Sequence, residues 1–305
     1  MPRWFLILLS ALILDARAHG ISSAGQNPAA SVPAGAESLV VLSTTDVIGK
    51  TSPCGCHTPK GGLARQATFA DSLRRRYPNL IWVDNGNFFP EDDLHEGAAW
   101  FLIGAMKSLG VDAVCVGDHE LRFGFAPLRE RARAAKLPLV CSNLELKATH
   151  QPAFARTVIK RVGPATVGIF GVMSEGVDLG PAADSLEVTD PALAAKRAIA
   201  ELRQSGATVI VMLSQLGKVG AEDLVASLDG MDVAIVGRNP PLIGNGRMIR
   251  NTVLVYGGEQ GQWIGVTRLP LGAGGRARPG FNEMVMLGPA IATEPKMARR
   301  VQEYE

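Results

Sequence analysis

The amino-acid sequence predicts an α/β protein. Short apolar, β-branched runs alternate with helix-spaced segments along most of the chain. Polar residues gather just behind the strand-like runs, which is where open α/β sheets bind ligands. With 305 residues, 47% of them hydrophobic, the chain can bury one large core or two small ones.

Residues 1–18 read as an export signal. Arg3 supplies a positive start, Trp4–Leu14 an apolar run too short to span a bilayer, and Ala16-Arg17-Ala18 a small-x-small cleavage site. An uncleaved anchor is the alternative that the run's length argues against. Localisation is therefore expected to be periplasmic or secreted, with no stable membrane insertion after cleavage. Residues 19–37 are small, polar and rich in Pro and Gly, so they read as a flexible leader.

From Ser38 the elements follow in turn. Ser38–Ser43 is a β-branched strand ending at Asp46. Gly61–Arg76 has helical spacing and ends in three arginines, a solvated helix end. Leu80–Asp84 reads as a buried strand, and Glu96–Gly110 as a helix closed by its glycine. Asp112–Val116 and Leu137–Ser142 are strands on either side of a helix around Pro127–Ala135, and Thr166–Val172 is another strand. The clearest helix is Pro191–Ser205, with Asp190 as N-cap, Pro191 at the first helical position and Gly206 as the stop. Thr208–Leu213 and Asp232–Val236 are strands flanking a short helix, and Thr252–Leu271 is mostly strand.

The net charge of +2 and the 6% aromatic content leave no basic face or stacking platform for nucleic acid. Four cysteines, Cys54, Cys56, Cys115 and Cys141, are too few for a disulfide-built scaffold. Cys115 and Cys141 sit inside apolar strands and read as small buried hydrophobes. A buried disulfide between them is the minor alternative.

Several segments carry a family resemblance, and their order matters more than any one of them. They are "TTDVIGK" from Thr44, "GGLAR" from Gly61, "VDNGNFF" from Val83, "SLGVDAVCVGDHELRFG" from Ser108, "VMLSQLG" from Val211, "DVAIVGRNP" from Asp232 and "VYGGEQGQWIG" from Val255. In this order the chain resembles the 5′-nucleotidase-like branch of the calcineurin-like metallophosphoesterases, from about Leu39 to about Leu271. The resemblance implies a four-layer α/β/β/α sandwich of two mixed sheets. It also implies a single phosphoesterase-like domain over residues 38–288, then a C-terminal helix at 289–305 without the nucleotide-specificity domain of larger members.

Active members of that family hold two divalent ions and hydrolyse phosphoesters with a metal-bound hydroxide. Their ligands lie in D-x-H, G-D, G-N-H-E, S-H-x-G and G-H-x-H motifs. Here Asp46 keeps the first aspartate, but Ile48 stands in place of the histidine. Asn87 replaces the bridging aspartate, Asp118 the asparagine, Gln215 the next histidine, and Arg238 and Pro240 the last two histidines. His119 keeps the position of the catalytic histidine, while Arg122 replaces its partner aspartate. Isoleucine and proline side chains cannot ligate a metal, and a guanidinium repels cations. The expected metal residues are thus Asp46, Asn87, Asp118 and Gln215, holding one divalent or soft ion (zinc, manganese or copper) and not a dinuclear centre. Arg122 and Arg238 are the candidate anion binders for a small anionic substrate.

The loop "PCGCHTPKGG" from Pro53 follows the altered D-x-H position and is expected beside the old site. Three readings stay open. Cys54 and Cys56 can form a redox pair with His57 and His119 moving protons, and a periplasmic thiol partner. The same three loop residues can hold a soft metal ion, though C-x-C is tighter than the usual zinc spacing. The pair can also be a plain loop disulfide, as exported proteins often carry. Glu91–Asp93, His95 and His150 read as solvated loop residues, and the two glycines before Leu63 as weak candidates for anion-binding amides.

Overall fold

The computed structural model describes Met1 and residues 37–305. The export signal and nearly all of the leader lie outside the described residues. In chain order the elements are β1 (Ser38–Thr44), α1 (Leu63–Arg76), β2 (Leu80–Asp84), α2 (Glu96–Leu109), β3 (Ala113–Cys115), α3 (Phe125–Ala135), β4 (Leu139–Val140), β5 (Leu144–Leu146), β6 (Thr157–Val162), β7 (Ala165–Met173) and β8 (Leu186–Val188). Then follow α4 (Pro191–Gln204), β9 (Val209–Gln215), α5 (Gly217–Ser227), β10 (Val233–Val236), β11 (Ile243–Ile249), β12 (Thr252–Tyr256), β13 (Trp263–Pro270), β14 (Phe281–Met286) and α6 (Pro295–Tyr304).

These strands make two six-stranded mixed sheets, ordered β14-β13-β1-β2-β3-β4 and β11-β12-β10-β9-β7-β6, and a β5-β8 ribbon. The central strands β1-β2-β3-β4 and β12-β10-β9-β7 run parallel, and the outer strands are antiparallel. Strand alternation sorts the apolar side chains into layers. Leu39 and Val41 of β1 meet Val167, Ile169, Val211 and Ile235 between the sheets. Val40 and Leu42 face the other way, into the layer holding Leu63, Leu102 and Leu128 of α1, α2 and α3. Phe170, Ile210 and Met212 pack on Ala195, Leu202 and Leu224 of α4 and α5. The result is the expected α/β/β/α sandwich, in one domain.

The strongest end signals hold in three dimensions. Asp190 Oδ1 accepts from the backbone N–H of Ala192 and Leu193, with Pro191 at the first turn of α4. Leu80–Asp84 is β2 to the residue. The expected strand Leu137–Ser142 shrinks to β4 because Cys141 N–H turns to Ala155 and Ser142 N–H to Gly171 of β7. Strands β6, β11 and β14 lacked a sequence signal. As outer strands they carry Lys160, Arg161, Arg247 and Glu283 instead of an apolar run. Cys115 and Cys141 are buried free thiols, with burial pushing both thiols above their usual range.

Candidate functional site

The parallel strands of both sheets deliver their C-terminal residues to one edge. There the sheets are tied by polar side chains, not apolar ones. Asn85 after β2 donates through Nδ2 to the carbonyl of Ser214 on β9, at 3.0 Å. Gln215 donates through Nε2 back to the Asn85 carbonyl. Gly237 lies over this seam: a Cβ there would stand 2.4 Å from Asn85 Nδ2, 2.5 Å from Thr45 Oγ1 and 2.7 Å from Gln215 Nε2. Only glycine lets the backbone after β10 approach this closely.

Asp46 sits in the middle of the seam, 1% exposed. The Thr45 hydroxyl donates to its Oδ2 at 2.6 Å, and the backbone N–H of Arg238 is shared between Oδ1 and Oδ2 at 3.2 and 3.0 Å. The nearby Asn87 side chain also favours the charged carboxylate. Burial still raises the carboxyl above its usual range, because these donors only partly replace water. Asp46, Ile48, Asn87 and Arg238 all have positive φ, between 47° and 65°. For non-glycine residues that is a sparsely populated region, costing roughly 1–3 kcal/mol each and concentrated at functional sites.

Glu120 organises the next layer and was not among the sequence candidates. It is fully buried, and its carboxylate accepts from the backbone N–H of Asn87 (2.9 Å), Phe88 (2.8 Å), Phe89 (3.2 Å) and Gly117 (2.7 Å). That grip sets the Asn87 turn against the His119 turn, and Asn87 Oδ1 accepts from His119 N–H at 3.4 Å. Asp84, also fully buried, accepts from the Thr44 hydroxyl (2.6 Å) and Gly86 N–H (2.9 Å). Burial pushes Asp84 up to about 8, and nearby Glu120 and Asp46 push the same way. The signals were in the sequence: an aspartate closing "LIWVD", and a glutamate directly behind His119.

His119, Asp118 and Arg122 line a cavity of about 380 Å³ with Phe123, Asp93, Glu96 and Asp178. His119 Nδ1 stands 3.4 Å from the Phe89 carbonyl, a contact made by the Nδ1–H tautomer. The Arg122 guanidinium donates to Asp93 Oδ1 at 3.2 Å. Four carboxylates therefore share the space in which Arg122 was expected to hold an anion. Arg238 meets Asp46 through its backbone N–H.

The Cys54–Gly55 stretch lines a different, larger cavity of about 560 Å³ with Ile48, Pro90, His95 and Tyr304 among others. Cys54 and Cys56 are joined in a disulfide, with Cα atoms 5.4 Å apart. Both sulfurs are thus bonded to each other, which argues against the soft-metal reading of Cys54, Cys56 and His57. His57 is exposed and lines neither cavity. The amides before α1 are engaged: Gly61 N–H donates to Leu287 and Leu63 N–H to Thr51. Among the described residues one group of three His, Cys or carboxylate side chains has ligand atoms within 4.8 Å of one another: Glu145, His150 and Glu187. It lies at the β5-β8 ribbon, where Glu145 is also paired with Arg156 at 3.2 Å and His150 with Glu187 at 2.9 Å.

Two mixed sheets between helical layers, with the site at the ends of the parallel strands, define the metallophosphoesterase architecture. Among solved structures, a 5′-nucleotidase precursor from Thermus thermophilus superposes with a TM-score of 0.77 at 22% identity, over 88% of this chain and 58% of that one. The calcineurin-like phosphoesterase YfkN from Bacillus subtilis gives 0.73 at 21% identity, over 88% and 97%. Mouse 5′-nucleotidase is 26% identical over 267 residues, 81% of this chain and 43% of the relative. The chain thus spans less than half the length of that relative. No family model matches the sequence. In sequence the chain is similar to 5′-nucleotidases, and in fold to the 5′-nucleotidase-like metallophosphoesterases.

Proposed function

We propose that this chain is an exported protein of 5′-nucleotidase-like ancestry that no longer hydrolyses phosphoesters by the two-metal route. Residues 1–18 are its signal peptide, and residues 38–288 its phosphoesterase-like domain.

The observation that carries this reading is the state of Asp46. Its carboxylate oxygens already accept from Thr45 and from the Arg238 backbone. No other pair of carboxylate, imidazole or thiol atoms converges on it within 4.8 Å among the described residues. Two divalent ions about 4 Å apart need several anionic or imidazole ligands. The neighbours here are neutral amides: Asn87, Asn85 and Gln215. The buried Asn85 Oδ1, Gln215 Oε1 and Ser214 Oγ atoms have no protein partner, but such neutral oxygens are weak substitutes for carboxylates. The donor set does not fit a dinuclear centre. At most one ion, zinc or manganese, fits there, with Asp46 as its one carboxylate ligand and neutral amides for the rest.

The test is elemental analysis of protein purified without chelators, with hydrolysis of AMP and p-nitrophenyl phosphate assayed in added Mn²⁺ or Zn²⁺. The expected result is at most one ion per chain and no turnover above that of an Asp46→Asn, His119→Ala variant. Two ions per chain, with turnover that the variant abolishes, overturns the reading.

A further inference from the structure

The phosphoesterase ancestry leaves the Cys54–Cys56 pair unexplained, and the two sulfurs do not have equivalent surroundings. Cys56 is exposed and Cys54 half-buried. The backbone N–H of Lys60 donates to Cys54 Sγ at 3.3 Å, and Cys54 N–H donates to the Lys60 carbonyl at 2.9 Å. Cys56 Sγ instead lies 3.1 Å from the carbonyl oxygen of Thr58. An N–H donor stabilises negative charge on sulfur, whereas a carbonyl oxygen opposes it and favours a protonated thiol.

A second feature adds to this bias. Pro53 packs on Gly62, where a Cβ would stand 2.9 Å from the Pro53 ring, so Cys54 follows a residue seated at the start of α1. The positive end of a fourteen-residue helix favours a thiolate nearby. The loop is also tied to the first turn of α1, where Arg65 donates to the Pro59 carbonyl at 2.8 Å. The cavity of about 560 Å³ opens beside Cys54 and Gly55.

We propose that Cys54–Cys56 is an exchangeable two-electron acceptor for a dithiol, with Cys56 as the sulfur attacked and Cys54 as the leaving thiolate. A donor thiolate attacks Cys56 Sγ. The Cys54–Cys56 bond breaks, and its electron pair leaves on Cys54, which keeps the Lys60 N–H hydrogen bond. The donor's second thiolate then attacks its own sulfur in the mixed disulfide and expels Cys56, which takes one of the donor's two protons and hydrogen-bonds through it to the Thr58 carbonyl, while Cys54 takes the other proton. The donor dithiol becomes a disulfide, Cys54 and Cys56 become thiols, and two electrons and two protons have passed. A ring closed over one intervening residue belongs to the readily reduced class of disulfides when exposed. This proposal does not depend on the phosphoesterase reading, and its test uses neither metal nor phosphoester.

The folded protein is treated with about 1 mM glutathione or dithiothreitol, quenched in acid, alkylated and mapped by peptide mass spectrometry. Glutathione, a monothiol, traps the first step, and dithiothreitol completes both. The expected glutathione adduct is on Cys56 over Cys54 by roughly tenfold or more, since the buffered thiolate leaves faster. Buried Cys115 and Cys141 stay unalkylated and report that the fold is intact. A Lys60→Pro variant, which removes the N–H donor to Cys54, is expected to slow exchange roughly tenfold relative to a Lys60→Ala control that keeps it. If that variant does not fold, the wild-type adduct map still decides. An adduct found equally on Cys54, or reduction that occurs only in denaturant together with labelling of Cys115 and Cys141, overturns the proposal.

Discussion

Two parts of one segment behave in opposite ways. Within a dozen residues the chain passes from Asp46, sealed in the polar seam between the sheets, to Cys56, exposed on a loop. In the seam, charge is held by backbone donors that the fold brings from distant strands, such as the Arg238 N–H on Asp46. In the loop, the sulfurs are arranged by neighbours six residues away or nearer, Lys60 and Thr58. The seam therefore depends on the whole sandwich, while the loop carries its chemistry locally. Damage to the seam should be read in stability, and damage to the loop in reactivity.

The largest effect is expected at Glu120. Replacing it with Gln puts an NH₂ group against backbone N–H donors that have no other partner. Urea unfolding should show a loss of about 3 kcal/mol or more. A loss below about 1 kcal/mol would mean that water replaces the carboxylate and that the seam is looser than the sandwich implies.

Next comes pH. Asp84 has an ordinary value of 3.8 when unfolded and about 8 when folded. The folded state then binds more protons between those values, so stability is full below about pH 4 for this group and falls as pH rises toward 8. Asp46 and Glu120 are raised by burial and act in the same direction. Between pH 5.5 and 7.5 the decline should be about 2–3 kcal/mol, near the limit of 1.4 kcal/mol per pH unit for one group. An Asp84→Asn variant should show a flatter thermal-midpoint profile over that range. A profile unchanged by the substitution would assign the pH response to other groups.

A Gly237→Ala change pushes a methyl into Asn85, Thr45 and Gln215, and overpacking of this kind costs about 1–3 kcal/mol. The same variant should leave thiol exchange at Cys56 unchanged, which sharpens the contrast between seam and loop. The smallest effect is expected from Cys54→Ser with Cys56→Ser. Closing so short a loop contributes about 1.5 kcal/mol at most, so the thermal midpoint should move by a few degrees or less. A much larger fall would make the disulfide a structural staple of the site loop.

Much of this protein was legible before any coordinates. The parallel strands announced themselves because buried strands must be apolar on both faces, as in "SLVVLS", "LIWVD" and "TVIVML". Helix α4 was readable from its cap, its proline and its glycine stop. Outer strands β6, β11 and β14 were not, because one exposed face lets charged residues in and erases the apolar run. The motifs named the positions of Asp46, Asn87, His119 and Gln215.

What the residues of the site do to one another was beyond the sequence. Which group reaches Asp46 depends on β10 ending beside β1's extension, 192 residues apart, so that a backbone N–H and not the Arg238 guanidinium meets the carboxylate. Glu120's four donors come from two turns more than twenty residues apart, and no spacing rule predicts their convergence. Arg122 looked like an anion binder until the fold set four carboxylates around its cavity. Local sequence determines propensity and residue chemistry. Hydrogen-bond partners, burial and the sign of the surrounding charge are set by long-range packing, and only the tertiary structure decides them.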